Sequence, residues 1–94
     1  MKFLVIGDVV VPVDLLVEAA KTLDPDAEIE TSYWDTGARS EFNKHSLNLE
    51  KNGPSAERPP ADAYEKIADA DVLLVHFCPV AEELIEAGKN LKLI

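Results

Sequence analysis

The stretch VLLVHFCPVAEELIEAGKNLKLI, residues 72–94, decides the fold of this chain. Its first four residues, Val72–Val75, are the most hydrophobic run in the sequence and predict a central strand. A helical pattern covers residues 79–87, with Gly88 as a natural C-terminal stop, and residues 91–94 begin what reads as another buried strand. Strands that alternate with a helix in this way are parallel and joined by right-handed crossovers.

The first half of the chain continues the same alternation. Residues 2–6, KFLVI, form a short apolar run typical of a strand buried on both faces. Pro12 suits the first position of the helix that follows, and Asp24 before Pro25 ends that helix. Residues 27–34 alternate between polar and less polar side chains, which predicts a half-exposed edge strand. Residues 61–70 predict a short helix.

Residues 35–60 show no periodicity and are punctuated by Gly, Asn and Pro, so we expect a long loop there. The resulting order is β-α-β-loop-α-β-α-β, which predicts an α/β fold. The simplest arrangement is a flavodoxin-like parallel sheet of order 2-1-3-4, with helices on both faces and incomplete at its C-terminus. Ligands in such sheets bind at the carboxyl ends of the strands.

Composition excludes several classes of partner. The chain has 94 residues, 47% of them hydrophobic, which is ordinary for one globular domain. Its formal net charge of -9 would repel nucleic acid and anionic membranes, and no apolar stretch approaches the length of a membrane span. The single cysteine, Cys78, cannot form an internal disulfide, which favours a reducing, cytoplasmic location.

The second half of the chain resembles the D-isomer-specific 2-hydroxyacid dehydrogenases, including phosphoglycerate dehydrogenase-like members. Residues 69–71 match the acidic-Ala-Asp turn of that family, and Val72–Val75 match the Val/Leu strand after it. Residues 76–80 match the substrate loop, residues 83–84 the Glu-Leu of the next helix, and residues 90–94 the Asn-Leu-Lys-Leu-Ile strand. The opening MKFLVIGD matches the first β-α unit of the family more loosely.

The resemblance implies that residues 1–94 are the N-terminal segment of a substrate-binding domain. The intact enzyme would use NAD or NADP to interconvert a small D-2-hydroxy acid and its 2-oxo acid, and would be a homodimer. The family's catalytic Arg, Glu and His and its nucleotide-binding domain belong to a later segment, and no G-x-G-x-x-G occurs in this chain. We therefore expect the 94 residues alone to bind no cofactor and to be inactive as a dehydrogenase.

The same resemblance implies that main-chain N–H groups of Phe77, Cys78 and Val80 contact the substrate carboxylate. A turn that opens a helix offers free amides to an anion, and Pro79 can shape that turn but cannot donate. His76 is a further candidate that either contacts the substrate or, as we favour, caps the strand. Trp34 either lines the substrate cleft or belongs to the core.

Other interpretations of the residues are less favoured. Cys78 beside His76 suggests a nucleophile, but a small buried residue filling a corner is the simpler interpretation. Asp8 after the first strand is reminiscent of phospho-acceptor domains, which need a larger acidic cluster than this chain has. His45 has no Cys or second His near it, so no metal site is expected. The alternative function is a self-contained flavodoxin-like binding or interaction domain without catalysis.

Overall fold

The computed structural model describes all 94 residues and places a three-stranded parallel sheet between helices. The elements, in chain order, are β1 Lys2–Gly7, α1 Val13–Leu23, β2 Glu28–Tyr33, α2 Arg39–Asn52, α3 Ala63–Lys66, β3 Val72–Val75 and α4 Glu82–Ala87. Short 3-10 turns follow α2 at Pro54–Ala56 and α3 at Ile67–Asp69. None of the helices combines the length and the apolar composition that a membrane span requires.

The strand order is β2-β1-β3, which confirms the flavodoxin-like arrangement expected from the sequence. Leu4 at the centre of β1 pairs with Glu30 of β2 on one side and with Leu73 of β3 on the other. Because the chain runs from β1 to β2 and then crosses to the opposite side for β3, the strand order reverses between β1 and β3. In open α/β sheets, such a reversal opens a crevice at the carboxyl ends of the two strands.

Residues 91–94 reach the fourth position in the predicted order but form only a single bridge. Val72 and Leu93 are bridged in parallel, and the Leu73 amide donates to the Leu93 carbonyl over 2.9 Å. The expectation of a buried strand here is wrong, since Leu93 is 63% exposed and Ile94 is 55% exposed.

Two apolar cores lie on opposite faces of the sheet, which explains why residues 3–6 of β1 and all four residues of β3 are apolar at successive positions. Phe3 and Val5 of β1 pack with Leu16 and Ala20 of α1 on one face. The intervening residues of β1, including Leu4, point to the opposite face because successive side chains of a strand alternate. The second core contains these residues of β1 together with residues from later in the chain, and its buried members are Leu4, Ile6, Trp34, Phe42, Ala63, Ile67, Ala70, Leu73, Cys78 and Leu84.

The long loop expected over residues 35–60 is wrong, because α2 occupies Arg39–Asn52 within it. Phe42 is the one buried residue of this helix, so its sequence carries little apolar periodicity. Two of the asparagines that suggested turns instead make side-chain hydrogen bonds on the helix. Asn52 donates to Asn48 over 2.8 Å, and Asn48 donates to Glu57 over 2.6 Å, which ties the helix to the segment after it.

Three helix boundaries also differ from those expected. Pro12 precedes α1 as its N-cap rather than opening it, and α3 is a single turn that continues as a 3-10 turn instead of a helix over residues 61–70. The helix expected from residue 79 begins at Glu82, with Ala81 as an extended N-cap. The connection between β3 and α4 therefore spans residues 76–81.

Candidate functional site

The candidate site lies where β1 and β3 end, and its centre is a buried carboxylate. Asp8 follows β1 directly, and its side chain is fully buried. One carboxylate oxygen, Oδ1, accepts hydrogen bonds from the amides of Val10 and Val11, each over 2.8 Å. The Asp8 amide donates to the Val11 carbonyl over 2.9 Å. The turn that leads from β1 into α1 is therefore folded around Asp8.

The second carboxylate oxygen of Asp8 contacts His76, the first residue after β3. Oδ2 lies 3.0 Å from Nδ1 of the imidazole. An ionised carboxylate can only accept, so Nδ1 carries the proton in this pair. Nε2 makes no hydrogen bond to the protein, and in the neutral ring it is therefore a free acceptor.

The His76 ring is held from two further sides and stays 38% exposed. Phe42 of α2 stacks with it at an interplanar angle of 10° and a centroid distance of 6.5 Å. Phe77 meets it edge-on, with centroids 5.9 Å apart. Helix α2, which was not expected from the sequence, thus supplies one wall of the candidate site.

The loop after His76 presents amides that have no partner in the protein. Phe77, Cys78 and Val80 lie outside the helices and strands, and their N–H groups donate to no carbonyl or side chain. These loop residues line an open groove of about 280 Å³ together with His76, and Leu49, Glu50 and Pro54 form its other side. The residues expected to contact a substrate carboxylate are thus brought together at one groove.

Cys78 belongs to the core of this corner rather than to its chemistry. The side chain is buried, and burial, with a smaller contribution from the negative charge of Asp8, raises the pKa of the thiol to about 12. Its one polar contact is a weak hydrogen bond to the Pro79 carbonyl at 3.6 Å. His76 cannot activate it through Nδ1, which Asp8 occupies. The thiol is therefore protonated at neutral pH, which agrees with the less reactive of the two interpretations.

Trp34 lies in the core, the second of the two places considered for it. It is 4% exposed, meets Phe42 edge-on at 5.9 Å, and donates from Nε1 to the Arg58 carbonyl over 3.1 Å. It also borders a second cavity of about 590 Å³, which lies apart from the His76 groove. Thr36 borders that cavity too, and its hydroxyl is the single buried side-chain polar atom without a hydrogen-bond partner.

The other histidine forms a similar carboxylate pair outside the strand-end site. Nδ1 of His45 lies 2.7 Å from Oε1 of Glu57. No group of three or more His, Cys, Asp and Glu side chains is arranged to hold a metal ion.

Sequence reasoning considered Asp8 and His76 separately and missed that they pair. The available signal was their placement, since each directly follows the carboxyl end of a strand, and those strands were expected to be neighbours. Neither a protein-family model nor a solved structure significantly matches the chain.

Proposed function

We propose that this chain is the N-terminal part of the substrate-binding domain of an NAD(P)-dependent dehydrogenase acting on a 2-hydroxy acid and its 2-oxo acid. The nicotinamide, an arginine for the carboxylate and a His-Glu pair for the proton would come from a following segment, as in the family that residues 69–94 resemble. In this proposal the intact enzyme is a homodimer, and the present chain contributes one wall of the substrate cleft.

The observation that carries the proposal is the set of unbonded amides at the loop after β3. The N–H groups of Phe77, Cys78 and Val80 donate to no group of the protein, so all three remain available as donors to a ligand. Hydrogen bonds to a charged acceptor contribute about 1.5–3 kcal/mol each. Three donors beside the crevice between β1 and β3 suit a small carboxylate, and Pro79 fixes the loop between them.

The loop can be tested with the chain in solution by amide nuclear magnetic resonance. Pyruvate is expected to shift the amide signals of Phe77, Cys78 and Val80, whereas acetone, which lacks the carboxylate, is not. Val80→Pro removes one donor, and Val80→Ala removes the same side chain but keeps the amide. We expect Val80→Pro to weaken pyruvate binding about tenfold relative to Val80→Ala, the equivalent of about 1.4 kcal/mol. Equal binding by the two variants would contradict the role of the loop.

The dehydrogenase assignment has its own test, which is the coding sequence beyond codon 94. A Gly-rich hinge followed by a G-x-G-x-x-G motif would support it, and a stop codon there would favour the self-contained binding domain. The 94-residue chain alone is expected to oxidise no NADH or NADPH with glyoxylate or hydroxypyruvate. Measurable hydride transfer by the purified chain would contradict the assignment of the catalytic and cofactor-binding residues to a following segment.

A further inference from the structure

We propose that Asp8 and His76 form a proton-transfer pair, in which Nε2 of His76 removes a proton from the carbon next to the carbonyl of a small 2-oxo acid. The class of substrate rests on the proposed function. The pair itself rests on the geometry at the ends of β1 and β3, where a fully buried carboxylate holds a 38% exposed imidazole.

The ring nitrogen that Asp8 leaves free is the one that can act as a base. Asp8 occupies Nδ1 at 3.0 Å, so the neutral ring keeps its lone pair on Nε2. A carboxylate behind an imidazole also stabilises the positive charge that forms when Nε2 takes up a proton. His76 lines the same groove as Phe77, Cys78 and Val80, so a base and three residues with unpaired N–H groups lie at one opening.

The reaction needs no cofactor and balances within the site. Nε2 forms a bond to the proton, the C–H bond breaks, and its electron pair moves to give an enolate whose negative charge rests on the former carbonyl oxygen. Return of the proton to the same carbon regenerates the 2-oxo acid. In D₂O the imidazolium exchanges with solvent, so the carbon receives deuterium instead.

Asp8 is a positioning residue in this pair, and Asp8→Asn separates that role from the folding of the turn. The side-chain oxygen that remains in this variant can still accept from the Val10 and Val11 amides, which preserves the turn. The new side-chain NH₂ group would then face Nδ1 of His76 as a donor. That arrangement favours the tautomer with the proton on Nε2, which leaves no base facing the groove.

His45 provides a matched control because its Nδ1 also contacts a carboxylate, at 2.7 Å. Its partner Glu57 keeps 18% of its side chain exposed, whereas Asp8 keeps none. His45 borders the cavity beside Trp34 and does not line the groove of the loop amides. If any histidine beside a carboxylate could catalyse the exchange, His45→Gln and His76→Gln would lower the exchange rate equally.

The experiment incubates the 94-residue chain with pyruvate in D₂O and follows the loss of the methyl proton signal. We expect exchange at least tenfold faster than with the same concentration of free imidazole, since a positioned general base contributes about 10²–10⁴-fold. His76→Gln and Asp8→Asn should each lose at least tenfold in rate, and His45→Gln should keep the wild-type rate. Circular dichroism of each variant checks that the fold is retained.

A second readout concerns the His76 ring nitrogens, which nuclear magnetic resonance separates into protonated and unprotonated ones. Asp8→Asn should move the proton from Nδ1 to Nε2, a change that a purely structural Asp8 would not produce. Wild-type exchange by folded His76→Gln, or an unchanged tautomer in Asp8→Asn, would overturn the pair. Loop amides that shift with pyruvate while no exchange occurs would also overturn the pair and leave the proposed function standing. Exchange without loop shifts would support the pair and contradict the role of the loop.

Discussion

Replacing Gly7 with alanine tests how closely α1 approaches the end of β1. A Cβ atom on Gly7 would lie 2.6 Å from the Val13 nitrogen, 2.7 Å from its Cγ2 and 3.0 Å from its Cα. Two of these three atoms belong to the main chain and cannot move aside by rotation of a side chain. To restore an ordinary contact of 3.4 Å, the start of α1 would have to retreat by about 0.8 Å.

The expected loss in free energy of unfolding follows from the contacts that a shift of α1 would disturb. Val13 opens α1, whose Leu16 and Ala20 pack on Phe3 and Val5 of β1. Overpacking a core typically costs about 1–3 kcal/mol, and the upper end applies because main-chain atoms block the new methyl group. We therefore expect Gly7→Ala to lower the free energy of unfolding by about 3 kcal/mol.

The measurement is urea denaturation followed by circular dichroism, with Gly88→Ala as the matched control. Gly88 is also buried, but a Cβ there would meet only side chains, with Ile67 Cγ1 at 3.2 Å and Leu91 atoms at 3.2 and 3.3 Å. These contacts are only about 0.2 Å shorter than an ordinary contact of 3.4 Å, so Gly88→Ala should cost less than about 1 kcal/mol. With an m-value of about 1 kcal/mol per molar urea, the two midpoints should fall by about 3 M and less than about 1 M. A Gly7→Ala variant as stable as Gly88→Ala would refute the close approach.

The remaining predictions concern α2, the groove and the ionisable groups. Phe42→Ala should lower the free energy of unfolding in urea by about 3–5 kcal/mol, because it removes a buried aromatic ring. Leu47→Ala, at a 49% exposed position of the same helix, should lower it by less than about 0.5 kcal/mol. Similar losses in the two variants would mean that α2 does not pack on the core as described. Glu50→Gln should tighten pyruvate binding by removing a negative charge from the groove, and weaker binding in an amide titration would contradict that. Iodoacetamide should modify Cys78 slowly in the folded chain at pH 8 and rapidly in urea. Because folding raises the pKa of the thiol from 9.0 to about 12, the free energy of unfolding should also fall as the pH rises above about 9. Cys78→Ala should weaken that fall. The pKa values of three aspartates are lowered by hydrogen bonds: Asp24 accepts from the N-terminal ammonium, Asp62 from Ser32 and Asp71 from the Lys2 amide. The free energy of unfolding should therefore fall as the pH drops below about 4. Equal urea midpoints at pH 5 and pH 3 would contradict this.

The order of the strands could be predicted because buried parallel strands leave a strong local signal. The apolar runs around Leu4 and Leu73 are continuous because each strand faces a core on both sides. Alternation with helices then restricts the connections to right-handed crossovers, and only a few strand orders remain. The same signal misled at residues 91–94, where an apolar run lies exposed against a single strand.

Helix α2 could not be predicted because tertiary contacts, rather than local pattern, hold it in place. One aromatic side chain, Phe42, provides its buried contact, and Asn48 and Asn52 stabilise its far end through side-chain hydrogen bonds. Single-sequence reasoning takes asparagines near Gly53 and Pro54 as signs of a turn. The contribution of Phe42 to one wall of the site could not be predicted from the sequence for the same reason.

The identity of residue 8 separates a structural from a functional explanation of the site. Two hydrogen bonds to the Val10 and Val11 amides are enough to build the turn, and an asparagine could accept both. A fully buried carboxylate is costly unless its charge is engaged, and the third contact of Asp8 is the half-exposed His76 ring. If Asp8 serves the turn alone, Asp8→Asn should leave stability, tautomer and exchange unchanged. If its charge serves His76, the variant should stay within about 1 kcal/mol of the wild-type stability while the proton moves to Nε2 and exchange is lost. Measuring all three quantities on one variant decides between the two explanations.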